Sequence, residues 1–387
     1  MKNNSDSKKQ PRGFEEWTSP KLAALQEAWR QKQGTEEKLT IGLDLGDRQS
    51  NYGVLDQSGE VIGRGQVVTQ SQPLEVWLGQ MPPSRVVIEV GTHSPWVSRL
   101  VKQTGHEVVV ANARRVKLIS ESSRKNDRVD AEMLARLGRV DVQLLSPIQH
   151  RSKQGQADLI GVRVRAELVE LRTSAVNAVR GFVKSFGQRM PKCDAGVMNR
   201  SHAKEVDEAI RAEMELVLEV VEKLNEVIAK ADGELKKVNA ERYEKETAKL
   251  EQVTGVGTLT ALTYVLTLED AGRFRRSRDV GSYVGLRPKS SQSGERDPEM
   301  RISKEGDVYL RKLLVQCAQY ILSKRGPDTD LKQWGLRIAS KGKKKAKRRA
   351  VVAVARKLSV LLHRLWVSGE VYEPLRQRQR RQHTVAA

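Results

Sequence analysis

Four acidic residues in the first third of the chain have the side chains and spacing for metal-assisted chemistry on phosphate esters. Asp44 stands in the run Leu39-Thr40-Ile41-Gly42-Leu43-Asp44-Leu45, whose alternation turns it away from the face shared by Leu43 and Leu45. Glu89 is the acid within the apolar strand Arg85-Val86-Val87-Ile88-Glu89-Val90. A charge buried there costs several kcal/mol unless a partner or a metal ion compensates it. Asp127 and Asp130 are three apart on a helical run and share one face. Carboxylate oxygens suit hard divalent cations, and Mg2+ keeps water and substrate phosphate oxygens in its shell. Two such ions roughly 4 Å apart stabilise both the attacking and the leaving oxygen of a phosphoryl transfer. Singly, the same residues have plainer uses: a strand Asp as a turn former, the Asp pair as a helix N-terminal cap. Asp47 and Glu132 lie near enough in sequence to be mistaken for ligands.

A second constellation is Gly285-Leu286-Arg287-Pro288-Lys289-Ser290-Ser291-Gln292-Ser293-Gly294-Glu295-Arg296, followed by Arg301-Ile302-Ser303-Lys304-Glu305-Gly306-Asp307. A serine on a Gly-flanked loop amid Arg and Lys can attack a phosphodiester while the cations stabilise the pentacovalent charge. No His or other base is close enough in sequence to activate the hydroxyl, so the residues alone favour a flexible basic loop that holds phosphates. Gly255-Val256-Gly257 before an apolar helix has the pattern of an interhelical turn whose N–H groups accept a phosphate, although a tight turn alone asks for the same glycines. Lys341 to Arg349 packs seven basic residues into nine positions, so Lys343, Lys344, Lys345, Arg348 and Arg349 are candidate phosphate contacts without sequence readout.

Charge agrees with a polyanionic partner: 69 Lys and Arg against 48 Asp and Glu leave +21 over 387 residues. Aromatics at 4% argue against a grip built mainly on stacking single-stranded bases. With only Cys193 and Cys317, and six His without metal-ligand spacing, zinc fingers and disulfide-stapled miniature folds are excluded. No apolar run reaches the ~18 residues of a membrane span, and Met1 to Arg12 lacks the apolar stretch of a secretory signal. A cytoplasmic protein with no membrane partner is expected.

The elements that must position these residues divide the chain into four. Residues 1–37 read as a basic flexible arm with one weakly amphipathic piece, Leu22 to Trp29. Residues 38–147 read as α/β: strands at 39–45, 51–55 and 60–69 forming an antiparallel meander, then helix 73–79, strand 85–90, helix 94–104, strand 107–111 and a helix from Asn126. Residues 148–248 are long and helical, with Val217, Val221, Leu224, Ile228, Ala231, Leu235 and Val238 at heptad spacing. That pattern suits an antiparallel hairpin, a coiled coil between chains, or a helix packed within its own domain. Residues 249–387 are mainly helical, with helices at 259–268, 307–322 and 350–366 and a basic tail ordered by phosphate.

Strand Asp, later strand Glu and helical Asp pair come in the order expected of a ribonuclease-H-like nuclease. The segments Ile41-Gly42-Leu43-Asp44, Val87-Ile88-Glu89-Val90-Gly91-Thr92 and Lys125-Asn126-Asp127-Arg128-Val129-Asp130-Ala131 resemble the catalytic segments of the DEDD transposases of the insertion-sequence-110 family, which includes the insertion-sequence-1111 group. Val253-Thr254-Gly255-Val256-Gly257, Tyr283-Val284-Gly285-Leu286-Arg287-Pro288, Gln292-Ser293-Gly294-Glu295 and Arg301 to Asp307 resemble the family's second, transposase domain. The resemblance runs from about Leu39 to Leu322. It implies a RuvC-like N-terminal domain, a coiled-coil linker used in oligomerisation and a C-terminal domain whose serine becomes joined to DNA. It implies Mg2+ (or Mn2+) on Asp44, Glu89, Asp127 and Asp130, and Ser293 as nucleophile, with Ser290 and Ser291 as rivals. The partners implied are double-stranded donor and target DNA, a structured noncoding guide RNA, and further copies of the chain, from dimer to tetramer, in the cytoplasm at the bacterial nucleoid. The alternative is a RuvC-like junction nuclease that uses metal-activated water.

Overall fold

Short strands that alternate apolar and polar residues must pair to satisfy their backbone, and in the first compact unit, residues 1–151, six do so. The computed structural model describes residues 16–32, 37–112, 127–289, 300–342 and 344–376, and of residues 127 and 128 the backbone alone. The strands are β1 (Trp17–Thr18), β2 (Thr40–Asp44), β3 (Gln49–Leu55), β4 (Val61–Val68), β5 (Arg85–Glu89) and β6 (Glu107–Ala111), ordered β1-β4-β3-β2-β5-β6 across the sheet. β2, β3 and β4 form the expected antiparallel meander, while β5 and β6 run parallel to β2. Parallel pairing needs crossovers, which α2 (Ser71–Gly79) and α3 (Ser94–Gln103) supply.

The strand period of two decides which helix covers which face. Ile41, Leu43, Val86, Ile88 and Val110 pack with Leu74 and Leu78 of α2 and Val97 and Val101 of α3. Val87, Val109 and Ala111 point the other way, onto Leu134 of α4 (Asp127–Val140) and Leu145.

One expectation is corrected at the amino end. Trp17 to Arg30, read as part of a flexible arm, belongs to this unit: β1 pairs with β4, and Leu22 of α1 (Pro20–Arg30) is 1% exposed in its core. The Ser19 side chain accepts from the Leu22 N–H at 3.2 Å and Pro20 opens the helix, a start signal present in the sequence.

The β3–β4 turn is held by Asp56, whose carboxylate accepts from Ser58 Oγ at 2.6 Å, from the Gly59 and Glu60 N–H groups at 2.9 Å each, and from Lys21 Nζ at 2.7 Å. Burial raises its pKa, but the bonds from Lys21, Ser58 and Glu60 outweigh that and hold it well below the usual carboxylate range. A depressed folded-state pKa stabilises above the unfolded value of about 3.9 and is lost as pH falls through the folded one. Asp56→Asn is therefore expected to cost about 1–3 kcal/mol at pH 7 and to flatten the acid limb of a urea-unfolding series run below pH ~4. An unaltered acid limb would show that Asp56 does not carry it.

The second unit, residues 152–387, begins with a helical hairpin. α5 (Lys153–Ser185) and α6 (Glu208–Val238) pack antiparallel within one chain, as the crossing bonds Arg165 to Asp232 and Arg172 to Asn225 show at 2.9 Å each. Met214, Val221, Ile228 and Leu235, seven apart, are buried along the seam. Of the three readings of the heptads, the hairpin is the one the chain adopts. Its far end has a small core of its own, where Val176, Val179 and Val183 meet Met198, Val206, Met214 and Leu218.

Beyond α7 (Glu244–Glu251) the core centres on α8 (Thr258–Leu268), nine of whose eleven residues are buried. A four-residue helix, α9 (Val280–Tyr283), and the longer α10 (Val308–Leu322), α11 (Asp330–Ser340) and α12 (Lys344–Ser368) pack in the same core, and the buried Tyr264 donates to the Ser359 carbonyl at 2.6 Å. The sequence reading missed α11, although Thr329 caps it by accepting from the Lys332 N–H at 3.1 Å. The basic run expected ahead of an apolar helix instead forms that helix's opening turns, from Lys344 onward.

Candidate metal centre and nucleic-acid interface

Register brings two of the expected acids side by side. β2 and β5 pair in parallel up to Leu43 opposite Ile88, and Asp44 and Glu89 are the last residues of their strands. Glu89 thus belongs to the apolar strand as expected, but as its last residue it is only half-buried, so water relieves part of its desolvation cost. By alternation both acids share the face of Gly42 and Val87, the face that α4 covers.

The direction of α4 follows from its contacts. Ala131 and Ala135 lie against Gly42, Gly138 lies against Val87, and Arg85 donates to the Gly138 carbonyl at 2.9 Å. The helix therefore runs antiparallel to β2 and opens over the strands' carboxyl ends. Asp130 immediately precedes Ala131, so it shares that end of the sheet with Asp44 and Glu89, and the backbone at Asp127 opens the helix there. The Asp127 side chain lies outside the described residues. Among the described residues no three His, Cys, Asp or Glu side chains are gathered closely enough to hold a metal ion. Of the two look-alikes, Glu132 packs over Gly53 of β3, whereas Asp47 lines the same cleft as Asp44 and Glu89.

That cleft, about 340 Å3, is completed by Thr92, which ends the segment Val87 to Thr92 quoted from the sequence, and by His93, four residues after Glu89, which the sequence reading did not assign to the site. His93 Nδ1 accepts from the Trp96 indole N–H at 3.1 Å, and its Nε2 stands 3.6 Å from a carboxylate oxygen of Asp47, itself 94% exposed. Behind them Ser94 Oγ accepts from the Gly91 N–H at 2.9 Å and lies 2.8 Å from His150 Nε2, fixing the turn. Burial, then Arg99 and Arg151, lowers the His150 pKa, so that ring is neutral at pH 7. The donors offered by Asp44, Glu89, Asp127 and Asp130 are carboxylate oxygens without a thiol, and that chemistry fits a hard divalent cation.

In the C-terminal unit, Gly285 to Lys289 and Arg301 to Lys304 form a short antiparallel ribbon bridged at Pro288 and Ile302, with Lys289 N–H donating to the Arg301 carbonyl at 2.9 Å and Ser303 N–H to the Arg287 carbonyl at 2.8 Å. Gly285 and Gly306 both take φ +72°, and a Cβ on either would meet a backbone carbonyl at 1.9 Å. Asp307 caps α10 through the Leu310 N–H at 2.7 Å and pairs with Arg163. These motif residues thus build the scaffold. Ser290, Ser291, Ser293, Arg296 and Lys343 lie outside the described residues. Arg287 and Lys289 are exposed on the ribbon, Lys344 and Lys345 on the first turn of α12, and Arg301, Lys304, Arg348 and Arg349 line one cleft. Gly255 takes φ +96° with the Tyr320 ring 2.8 Å from where a Cβ would stand, a demand of the turn itself, and Gly257 caps α8.

A meander followed by two parallel strands, with acids at the carboxyl ends of β2 and β5 and a helix opening above them, defines a DEDD domain of ribonuclease-H-like fold. Residues 41–187 match the DEDD transposase domain of IS110 type, and residues 247–333 match the family described as Transposase IS116/IS110/IS902. The chain is 30% identical over 289 residues to a Yersinia enterocolitica protein, the transposase for insertion sequence element IS1328, covering 73% of this chain and 84% of that one. It is 28% identical over 345 residues, 86% of this chain and 90% of the other, to the transposase for insertion sequence element IS1111A of Coxiella burnetii. A probable family 20 transposase of Pseudomonas aeruginosa is 26% identical over 287 residues, 73% of this chain and 83% of that one. The chain belongs to the IS110 family of insertion-sequence transposases. Membership implies cutting and rejoining of DNA, and its DEDD domain suggests use of a divalent metal. Among the described residues no helix is long and apolar enough to cross a membrane.

Proposed function

We propose that this transposase is an RNA-guided DNA recombinase that moves its insertion sequence through phosphoserine linkages. The observation that supports it most is the meeting of β2, β5 and the opening turn of α4, each carrying an acid, at one end of the sheet. Asp44, Glu89, Asp127 and Asp130 would hold Mg2+, or Mn2+ in its place; such ions, when bound, offset charge on the attacking and leaving oxygens of a phosphoryl transfer. Ser293 is the nucleophile in this reading. Its Oγ–P bond forms as a P–O bond to deoxyribose breaks, the serine proton leaves, and the released deoxyribose oxygen gains one. A hydroxyl from another strand then displaces the serine, so phosphodiesters are exchanged without net hydrolysis. Arg287, Lys289, Arg296, Arg301 and Lys304 grip the phosphates, in keeping with the charge of +21. A structured noncoding RNA pairs with donor and target, and a tetramer joins the acids of one subunit to the serine of another, at the bacterial nucleoid.

The chain purified with its RNA and DNA should give a covalent protein–DNA band on a denaturing gel, absent in Ser293→Ala. Persistence of the band in that variant transfers the role to Ser290 or Ser291. Free 5′-phosphate ends with no covalent species at all would overturn the phosphoserine route in favour of metal-activated water.

A further inference from the structure

The cleft that gathers Arg301, Lys304, Arg348 and Arg349 has a volume of about 840 Å3 and a floor that phosphate binding does not need. That floor is apolar: Ile302 from the ribbon, Trp334 from α11, and Val352, Ala353 and Val360 from one face of α12. Arg356 and Lys357 extend the cationic rim, and among the described residues that line the cleft none is acidic. Lys357 Nζ stands 4.4 Å from the centre of the Trp334 ring, a cation–π contact that holds the indole at the wall. Burial, then repulsion from Arg337, keeps the Lys357 ammonium below its ordinary range.

Contacts to an intact duplex backbone call for charge and hydrogen-bond donors, since the bases stay stacked inside. An apolar cavity of several hundred Å3 with a polar rim is instead the form of a site for a planar organic group. One chemical unit combines a planar body with anionic ends, and that is an unstacked nucleotide: base against the floor, flanking phosphates on the rim.

We propose that this cleft receives an unpaired nucleotide of the DNA strand being exchanged. The inference rests on the reading of the chain as a DNA recombinase, because strands that are cut and rejoined pass through unpaired nucleotides. Extruding a paired base costs a few kcal/mol, so the cleft favours DNA already opened.

The test uses the full-length chain and fluorescence anisotropy with a labelled duplex, the same duplex carrying a short single-stranded gap, and a single-stranded RNA of matching length. Stacking of one base at about 1–3 kcal/mol predicts a preference for gapped over intact DNA of about fivefold to a hundredfold. Ala353→Phe, which fills the cleft, and Trp334→Leu, which removes the indole, should each bring that ratio close to one, with thermal melts establishing that each variant is folded. Equal binding of gapped and intact DNA by the wild type overturns the proposal and leaves the recombinase reading standing, as does a preference that survives Ala353→Phe in a folded protein. Tighter capture of the RNA than of gapped DNA that is lost in Ala353→Phe overturns the assignment to DNA. Failure of the wild type to bind any DNA, with its guide RNA as well as without it, overturns the recombinase reading along with it.

Discussion

Asp44→Asn and Glu89→Gln are each expected to lower strand cleavage by about 10³-fold or more, measured with Mg2+ under single-turnover conditions. The amides keep the shape of the carboxylates but remove the charge that a hard cation requires. Both acids end their strands on the face beneath α4, so neither exchange disturbs a packed core. Calorimetric titration with Mn2+ should lose most of its heat in either variant. Glu132→Gln is the control: that side chain packs over Gly53 of β3, away from the cleft, and cleavage should stay within about threefold of wild type, as is usual for changes that break no packed or paired group. Cleavage by Glu89→Gln at the wild-type rate would remove the acids of this sheet from the mechanism.

Gly42→Val should be the most damaging single change to the first unit. A Cβ on Gly42 would stand 1.9 Å from the Ala131 carbonyl oxygen and 2.6 Å from the Ala135 nitrogen, both backbone atoms that cannot rotate aside. α4 must then lift from β2, giving up the packing of Leu134, and a loss of about 3 kcal/mol or more is expected in urea unfolding. Because Asp130 travels with that helix, cleavage should fall in whatever fraction remains folded. Gly79→Ala supplies the contrast, since nothing stands within 4 Å of a Cβ at the end of α2, and it should be neutral or stabilising by about 0.5 kcal/mol. A Gly42→Val protein as stable as wild type would mean that α4 does not pack as closely as described.

Much of this was legible in the residues because turns bracket the strands: Asp56 to Gly59 ends β3, and the alternation after it fixes which face of β4 is buried. The hairpin could be read from its heptads, though sequence spacing cannot say whether the partner helix comes from the same chain; Arg165 opposite Asp232 and Arg172 opposite Asn225 answer that. What escaped was non-local or short. Trp17 to Arg30 buries a narrow stripe through Leu22, too weak a pattern to separate from a solvated arm. α11 is short and buries only Leu331 and Gly335, although its residues segregate clearly by face. The need for glycine at position 42 arises from a helix some ninety residues later, which no local window contains. The acids were legible as a set by type and order. Their shared end of the sheet depends on the parallel register of β2 with β5, which only the assembled sheet provides.

The hairpin's seam has a bearing on how such chains can vary in length. Its second arm is 31 residues, about 46 Å at 1.5 Å per residue, and the buried side chains along it repeat every seven. Removing one such block from both arms together would shorten the lever by about 10 Å and turn its tip by only about 20°, so the same partners would still meet. Evolution can therefore adjust the span of this arm in steps, as one resizes a ruler by its graduations, without redesigning either end.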